Sequence, residues 1–159
     1  MTQREKLENL IGISFNDYPG SDYLPTEVSV PNWSQFPRYY FEKTLKEPLC
    51  GLFSKIRIIA HEHEFNKNIV FEAPDFRLTH LSLLEDLLEK LSEILGADRK
   101  RMLHLAYREY EELEQDNWEG RFWNFPAYDD LDDVMLNFDL EHGLSLTIFE
   151  PVNLFEDED

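Results

Sequence analysis

The amino-acid sequence predicts an α+β fold: a single domain with helices packed on one face of a mostly antiparallel sheet of about four or five strands. Three observations carry this expectation. Two stretches, LFSKIRIIAHEHEF with IVFEA and DVMLNFDLEHGLSLTIFEP, alternate apolar and polar residues on either side of a short polar turn, the period of a half-buried strand that folds back on its neighbour. Between them THLSLLEDLLEKLSEILGA repeats leucine at helical spacing, which makes an amphipathic helix. The chain of 159 residues is 42% hydrophobic and 14% aromatic, enough for one buried core. The domain is expected to span residues 1–155, with 156–159, the run EDED, as an acidic C-terminal tail that frays.

The elements follow in order. Thr2 caps a short helix with Glu5 three residues on, Leu7, Leu10 and Ile11 share a face, and Gly12 ends it. The segment FNDYPGSDYLPTEVSVPNWSQFP holds Pro19, Pro25, Pro31 and Pro37, which excludes regular helix and predicts an ordered loop anchored by Tyr23, Trp33 and Phe36. RYYFEKTLKE fits a strand or a short helix equally well. The first hairpin is expected to turn at NKN, residues 66–68. The long helix carries Leu81, Leu84, Leu87, Leu88, Leu91, Ile94 and Leu95 and stops at Gly96. A second helix follows, capped by Asp98 and marked by Met102, Leu105, Ala106, Tyr110 and Leu113; its acidic run from Glu109 to Glu114 is expected on the exposed side. Carboxylates at a helix C-terminus oppose the macrodipole, so that end calls for something positive nearby. The last hairpin alternates through Val134, Leu136, Phe138 and Leu140 and turns near His142 and Gly143.

Charge is distributed unevenly. The chain carries 33 acidic and 15 basic residues, a formal charge of −18, which argues against a bare phosphate backbone or an anionic membrane as partner. Residues 1–108 hold 16 acidic and 14 basic side chains, whereas 109–159 hold 17 acidic residues and one basic residue, Arg121. That second segment also holds Trp118, Phe122, Trp123, Phe125, Tyr128, Phe138, Phe149 and Phe155. Disordered acidic tails are poor in such rings, so the charge is expected on folded surface. The single cysteine, Cys50, excludes an intrachain disulfide and points to a reducing compartment, the cytoplasm; no run of sufficient apolar length for a signal or a span occurs.

Catalytic signatures are sparse. His61 and His63 in HEHEF would share a strand face and, if His80, His104, His142 or a carboxylate such as Glu62 or Glu64 converged on them, could hold zinc; this is the weaker, metal-assisted hydrolase alternative. DDLDD lacks the ligand order of a calcium loop. Cys50, in EPLCGLF, reads as a buried inert thiol. There is no G-x-S-x-G elbow, no helical HExxH and no glycine-rich phosphate loop. No cofactor is expected.

A binding surface fits better. The run WEGRFWNFPAYDDLDD, residues 118–133, sets two Trp, two Phe and a Tyr among five acidic residues around Arg121. Rings slow dissociation and carboxylates steer a cationic partner in. For each ring taken alone, a place in the core is the more frequent outcome. The expected contact set is Glu111, Glu112, Glu114, Asp116, Trp118, Glu119, Phe122, Trp123, Tyr128, Asp129, Asp130, Asp132 and Asp133. Together with EYEELEQD and with Asp139, Glu141 and Glu150, this run resembles small, cytoplasmic, acidic immunity proteins of bacterial toxin systems. That resemblance, which covers about a third of the chain, implies a non-catalytic inhibitor that covers the basic site of a cognate toxin domain such as a nuclease. It also implies a basic protein partner, no direct nucleic acid or membrane contact, and a monomer or weak dimer. Two further readings are a nucleic-acid mimic whose carboxylates stand in for phosphates, and an adaptor domain of a larger assembly.

Overall fold

The computed structural model describes residues 2–12, 27–29, 38–61, 66–98, 104–125 and 133–151. Three helices, α1 (Gln3–Ile11), α2 (Leu81–Leu95) and α3 (Tyr107–Glu114), lie with a sheet of strands β1 (Glu27–Ser29), β2 (Arg38–Leu49), β3 (Phe53–His61), β4 (Asn66–Ala73), β5 (Asn117–Asn124), β6 (Asp133–Asp139) and β7 (Gly143–Pro151). All pairings are antiparallel, in the order β1-β2-β3-β4-β7-β6-β5. The sheet is therefore two meanders, β1 to β4 and β5 to β7, zipped together where β4 meets β7 from Asn66↔Pro151 to Ala73↔Leu144.

The α+β expectation holds, and the sheet is larger than four or five strands for three reasons. Glu27–Ser29, within the segment expected as a loop, pairs with β2 as the short edge strand β1. β2, which periodicity left open between strand and helix, is a twelve-residue strand. β5, whose residues composition marks as part of a binding surface without assigning an element, is the strand that closes one edge of the sheet. Its period is hidden by a bulge: pairing runs Trp118↔Phe138 and then resumes at Arg121↔Leu136, so the buried positions 118, 121 and 123 change parity midway. Gly120 makes the bulge possible. Its φ is +93°, and a Cβ there would lie 1.8 Å from the Leu136 carbonyl oxygen.

α1 and α2 form where their cap and stripe placed them. Thr2 accepts from the Glu5 N–H at 3.1 Å, and Gly12 takes the left-handed conformation that ends α1. In α2 the buried Leu84, Leu87, Leu88, Leu91 and Leu95 form one stripe. That stripe shares a core with Ile56, Ile58, Ile69 and Phe71 of the first meander and with Val134, Leu136, Leu144, Leu146 and Ile148 of the second. Each such aliphatic side chain contributes about 1.5–3 kcal/mol of burial. The opposite face of the sheet is mixed: Lys55 pairs with Glu42 at 2.9 Å and Arg57 with Glu72, beside Val70, Met135 and Phe122.

Two boundaries differ from expectation. The first hairpin does not turn at residues 66–68: Ile59 pairs with Asn68, and β4 begins at Asn66, so the connection is 62–65. His61 therefore ends β3, while Glu62, His63 and Glu64 lie outside the described residues. The second helix begins at Tyr107, well after Asp98, and is only eight residues long. Tyr23, Trp33, Phe36, Met102, Phe155 and the 156–159 tail also lie outside the described residues, as does all of FNDYPGSDYLPTEVSVPNWSQFP except Glu27–Ser29.

A candidate acidic binding groove

α3 is built on a narrow support. Glu109 and Leu113 are its buried residues, Tyr110 is half-buried, and Arg108, Glu111 and Gln115 are exposed on the other side of the helical turn, with the half-buried Glu112 between them and Glu109. A tight turn leads from Glu114 straight into β5, where Asn117 and Glu119 are exposed. The outward side of α3 and the start of β5 thus form two walls of a groove enclosing about 510 Å³, lined by Arg108, Glu111, Glu112, Gln115, Asn117 and Glu119. Arg108 is its one cation, mostly exposed, with Nε 3.8 Å from Glu112 Oε1. The other carboxylate oxygen of Glu112 is shielded from solvent and has no hydrogen-bond partner. No basic residue occupies the last turn of α3, so its macrodipole and its carboxylates repel one another.

The expected contact residues separate into groups. Glu111, Glu112 and Glu119 converge on the groove. Glu114 and Asp116 are exposed just beyond it, Asp116 on the rim of a second, more apolar hollow with Phe76, Arg77, Leu113 and Phe138. Asp139 joins the same end of the sheet through its pairing with Asn117, and Glu141 follows in the exposed β6–β7 turn. Asp133 does not join them. It pairs with Asn124 at the far end of the same hairpin, its carboxylate 2.7 Å from the Asn124 amide, about 20 Å along the strand from Asp139. Tyr128, Asp129, Asp130 and Asp132 lie outside the described residues, as does all of 126–132.

The rings require a correction. Trp118 and Trp123 are each 1% exposed and belong to the hydrophobic core, so neither is available to a partner; they lie on opposite parities of β5, and the bulge at Gly120 turns both inward. Phe122 is half-buried, paired with Met135. The aromatic side chain that reaches solvent here is Tyr107, 80% exposed at the start of α3 and one helical turn from Glu111, so the two stand on neighbouring parts of the surface. Leu140, 78% exposed, is the apolar residue of the β6–β7 turn. Tyr107 belongs to no cluster of rings, and Leu140, which alternation grouped with Val134, Leu136 and Phe138, falls in the turn after β6 ends at Asp139.

Beneath the groove lies a buried ionic network. The Arg121 side chain is fully buried. Its Nε and NH2 donate to the two oxygens of Glu109 at 2.9 and 2.6 Å, its NH1 donates to Asp98 at 2.6 Å, and NH2 also donates to the His104 carbonyl at 2.9 Å. Glu109 accepts two more bonds, from the Trp118 indole at 2.9 Å and from the Ala106 N–H at 3.1 Å. Burial alone would raise the Glu109 carboxyl, but these hydrogen bonds and the Arg121 charge bring it below its ordinary value. For Arg121 burial works downward and is outweighed by hydrogen bonds to Glu109 and Asp98, so its guanidinium is held more firmly charged. Asp98 is thus a network member rather than a helix cap, and Glu109 faces inward rather than out.

The remaining candidates carry little chemistry. His80 accepts the Arg77 N–H on Nδ1, and His142 pairs with Asp139 of its own turn. Among the described residues no group of three or more His, Cys, Asp or Glu side chains is arranged to hold a metal. Cys50 is half-buried rather than buried, in a left-handed turn with its thiol 3.3 Å from the Leu10 carbonyl; burial pushes the thiol up, with Lys90 working weakly against it. No helix among the described residues is long and apolar enough to cross a membrane. No protein-family model, curated protein or solved structure matches the chain.

Proposed function

We propose that this chain is a non-catalytic, immunity-type binding protein that receives the basic site of a cognate toxin domain in the groove between α3 and β5. The observation that carries the reading is the convergence of Glu111, Glu112 and Glu119 on one concave surface with a shielded, unpartnered oxygen on Glu112. A buried acceptor without a donor is costly, and a lysine or arginine from a partner supplies one. The same cation relieves the repulsion at the end of α3. Tyr107, exposed one helical turn before Glu111, provides the ring that the buried tryptophans do not. A toxin that acts on nucleic acid, with its cationic substrate surface, is the partner class that fits this charge, and the single cysteine suits a cytoplasmic site of action.

The test has two parts. Binding of a lysine-rich peptide is measured at low and at physiological salt for the native chain and for Glu111→Lys, Glu119→Lys and Asp133→Lys. The first two substitutions should weaken binding and flatten its salt dependence, with Asp133→Lys much less effective; equal effects at all three positions discard the groove. A toxin encoded beside this chain, whose growth arrest the native chain relieves and Glu111→Lys does not, supports the immunity reading. Relief that is indifferent to charge reversal overturns it.

A further inference from the structure

The groove exists only if α3 is held at one rotation and one height above β5, and little in α3 itself ensures that. Isolated helices of eight residues are unstable in water. Among its residues only Leu113 is a buried aliphatic anchor. The other buried contact is Glu109, and the two Glu109 oxygens take four donors, two of them from one guanidinium. Because that guanidinium is planar and rigid, bidentate pairing fixes orientation as well as distance. Glu109 lies on the side of α3 opposite Glu111 and next to the half-buried Glu112, so a rotation of the helix that slackens the Glu109 pair also swings the groove carboxylates. On the other wall, Glu119 is separated from Arg121 only by the bulged Gly120, which turns one side chain out and the other in. The remaining two bonds of Arg121, to Asp98 and the His104 carbonyl, tie the same strand to the chain that leads into α3.

We propose that Arg121 is the positioning residue of the acidic groove: its buried fork locks α3 against β5 so that Glu111, Glu112 and Glu119 face one another across a fixed gap. This rests on the binding reading above, and it goes further in assigning the geometry of the site to a residue that never touches the partner. Buried ion pairs are poor sources of net stability but are well attested as devices that set registry. An apolar core at position 121 would hold the sheet together without specifying the rotation of a short helix.

The experiment compares Arg121→Lys, which keeps the charge and loses the fork, with Trp118→Phe, which deletes one donor to Glu109 and keeps a ring. Amide exchange is followed by residue, and a lysine-rich peptide is titrated into each variant with and without Glu119→Gln. In Arg121→Lys, α3 amides should lose protection while β4 and β7 keep theirs, and Trp118→Phe should show a smaller loss in the same place. In the native background Glu119→Gln should weaken peptide binding about two- to fivefold, the range of an exposed ion pair; in the Arg121→Lys background that effect should shrink toward none. A merely stabilising arginine would leave the Glu119→Gln effect unchanged, and that additivity overturns the proposal, as does unaltered α3 exchange in both variants. If Arg121→Lys does not fold, Trp118→Phe carries the same comparison. A native chain that ignores the peptide defeats the binding reading, while the α3 exchange arm still decides the positioning claim.

Discussion

Replacing Arg121 by Met is the most informative single perturbation of stability. The Arg121, Asp98 and Glu109 side chains are 0%, 1% and 4% exposed, so water cannot take over the role of the missing guanidinium. Met matches much of the aliphatic volume but leaves two carboxylates buried without their cation. Breaking a buried pair in this way costs about 3–5 kcal/mol, a large share of the roughly 5–15 kcal/mol that holds a domain folded. At about 2–4 °C per kcal/mol for a chain of this length, the melting temperature should fall by roughly 6–20 °C. Urea denaturation followed by tryptophan fluorescence reads the effect directly, since Trp118 and Trp123 flank the network. Adding Glu109→Gln to Arg121→Met should recover part of the loss, because one of the two orphaned charges is gone. Arg108→Met, on the exposed side of α3, serves as the control and should stay within about 0.5 kcal/mol of the native chain. A loss of less than about 1 kcal/mol for Arg121→Met, the value of a surface pair, would refute the claim that the network is closed to solvent.

Four further outcomes are expected. Because the Glu109 carboxyl is held below its ordinary value in the folded state, its stabilising contribution is complete above about pH 4.3, the unfolded value, and is lost as pH falls through the folded one. Urea midpoints between neutral and acidic pH should therefore drop less steeply in Glu109→Gln than in the native chain, and parallel slopes would contradict this. Gly120→Ala should destabilise by more than about 2 kcal/mol, since strain at positive φ adds to a collision with the Leu136 carbonyl; a midpoint close to native would mean the bulge is not as described. Leu88→Ala, in the middle of the α2 stripe, should cost about 2–5 kcal/mol by the same assay. Cys50 should react slowly with a thiol reagent at neutral pH in the folded chain and quickly in urea, because burial raises the thiol; equal rates would place it in the open.

Local signals were legible in the sequence and non-local ones were not. The Thr2 cap with its Gly12 stop, the leucine stripe of α2 and the β6–β7 hairpin are set by residues within a few positions of one another, and the structure places them as expected. β5 escaped because its alternation is broken by the Gly120 bulge and because an arginine occupies a core position. Arg121 could be recognised only through Asp98 and Glu109, which are 23 and 12 positions away. One hint was present: it is the only cation among 17 carboxylates in residues 109–159 and lies between tryptophans, a setting in which an unpaired arginine would be hard to explain. The aromatic run suggested an interface because composition alone cannot tell which face of a strand a ring takes. Once β5 is a strand with a bulge at Gly120, both Trp118 and Trp123 fall on the core face, while Glu111, Glu114 and Glu119 stay outside. Among the described acidic residues of the 118–133 run, Asp133 stands apart, at the far end of the β5–β6 hairpin from Glu119 and Asp139.

The measurement that bears most directly on the binding claim is a residue-resolved titration of the native chain with a lysine-rich peptide, followed by backbone amide chemical shifts. Shifts concentrated at 107–119 and at 139–142, weakening as salt rises, are the expected result. Shifts centred on Asn124 and Asp133, or spread evenly over the sheet, would contradict the assignment of the groove.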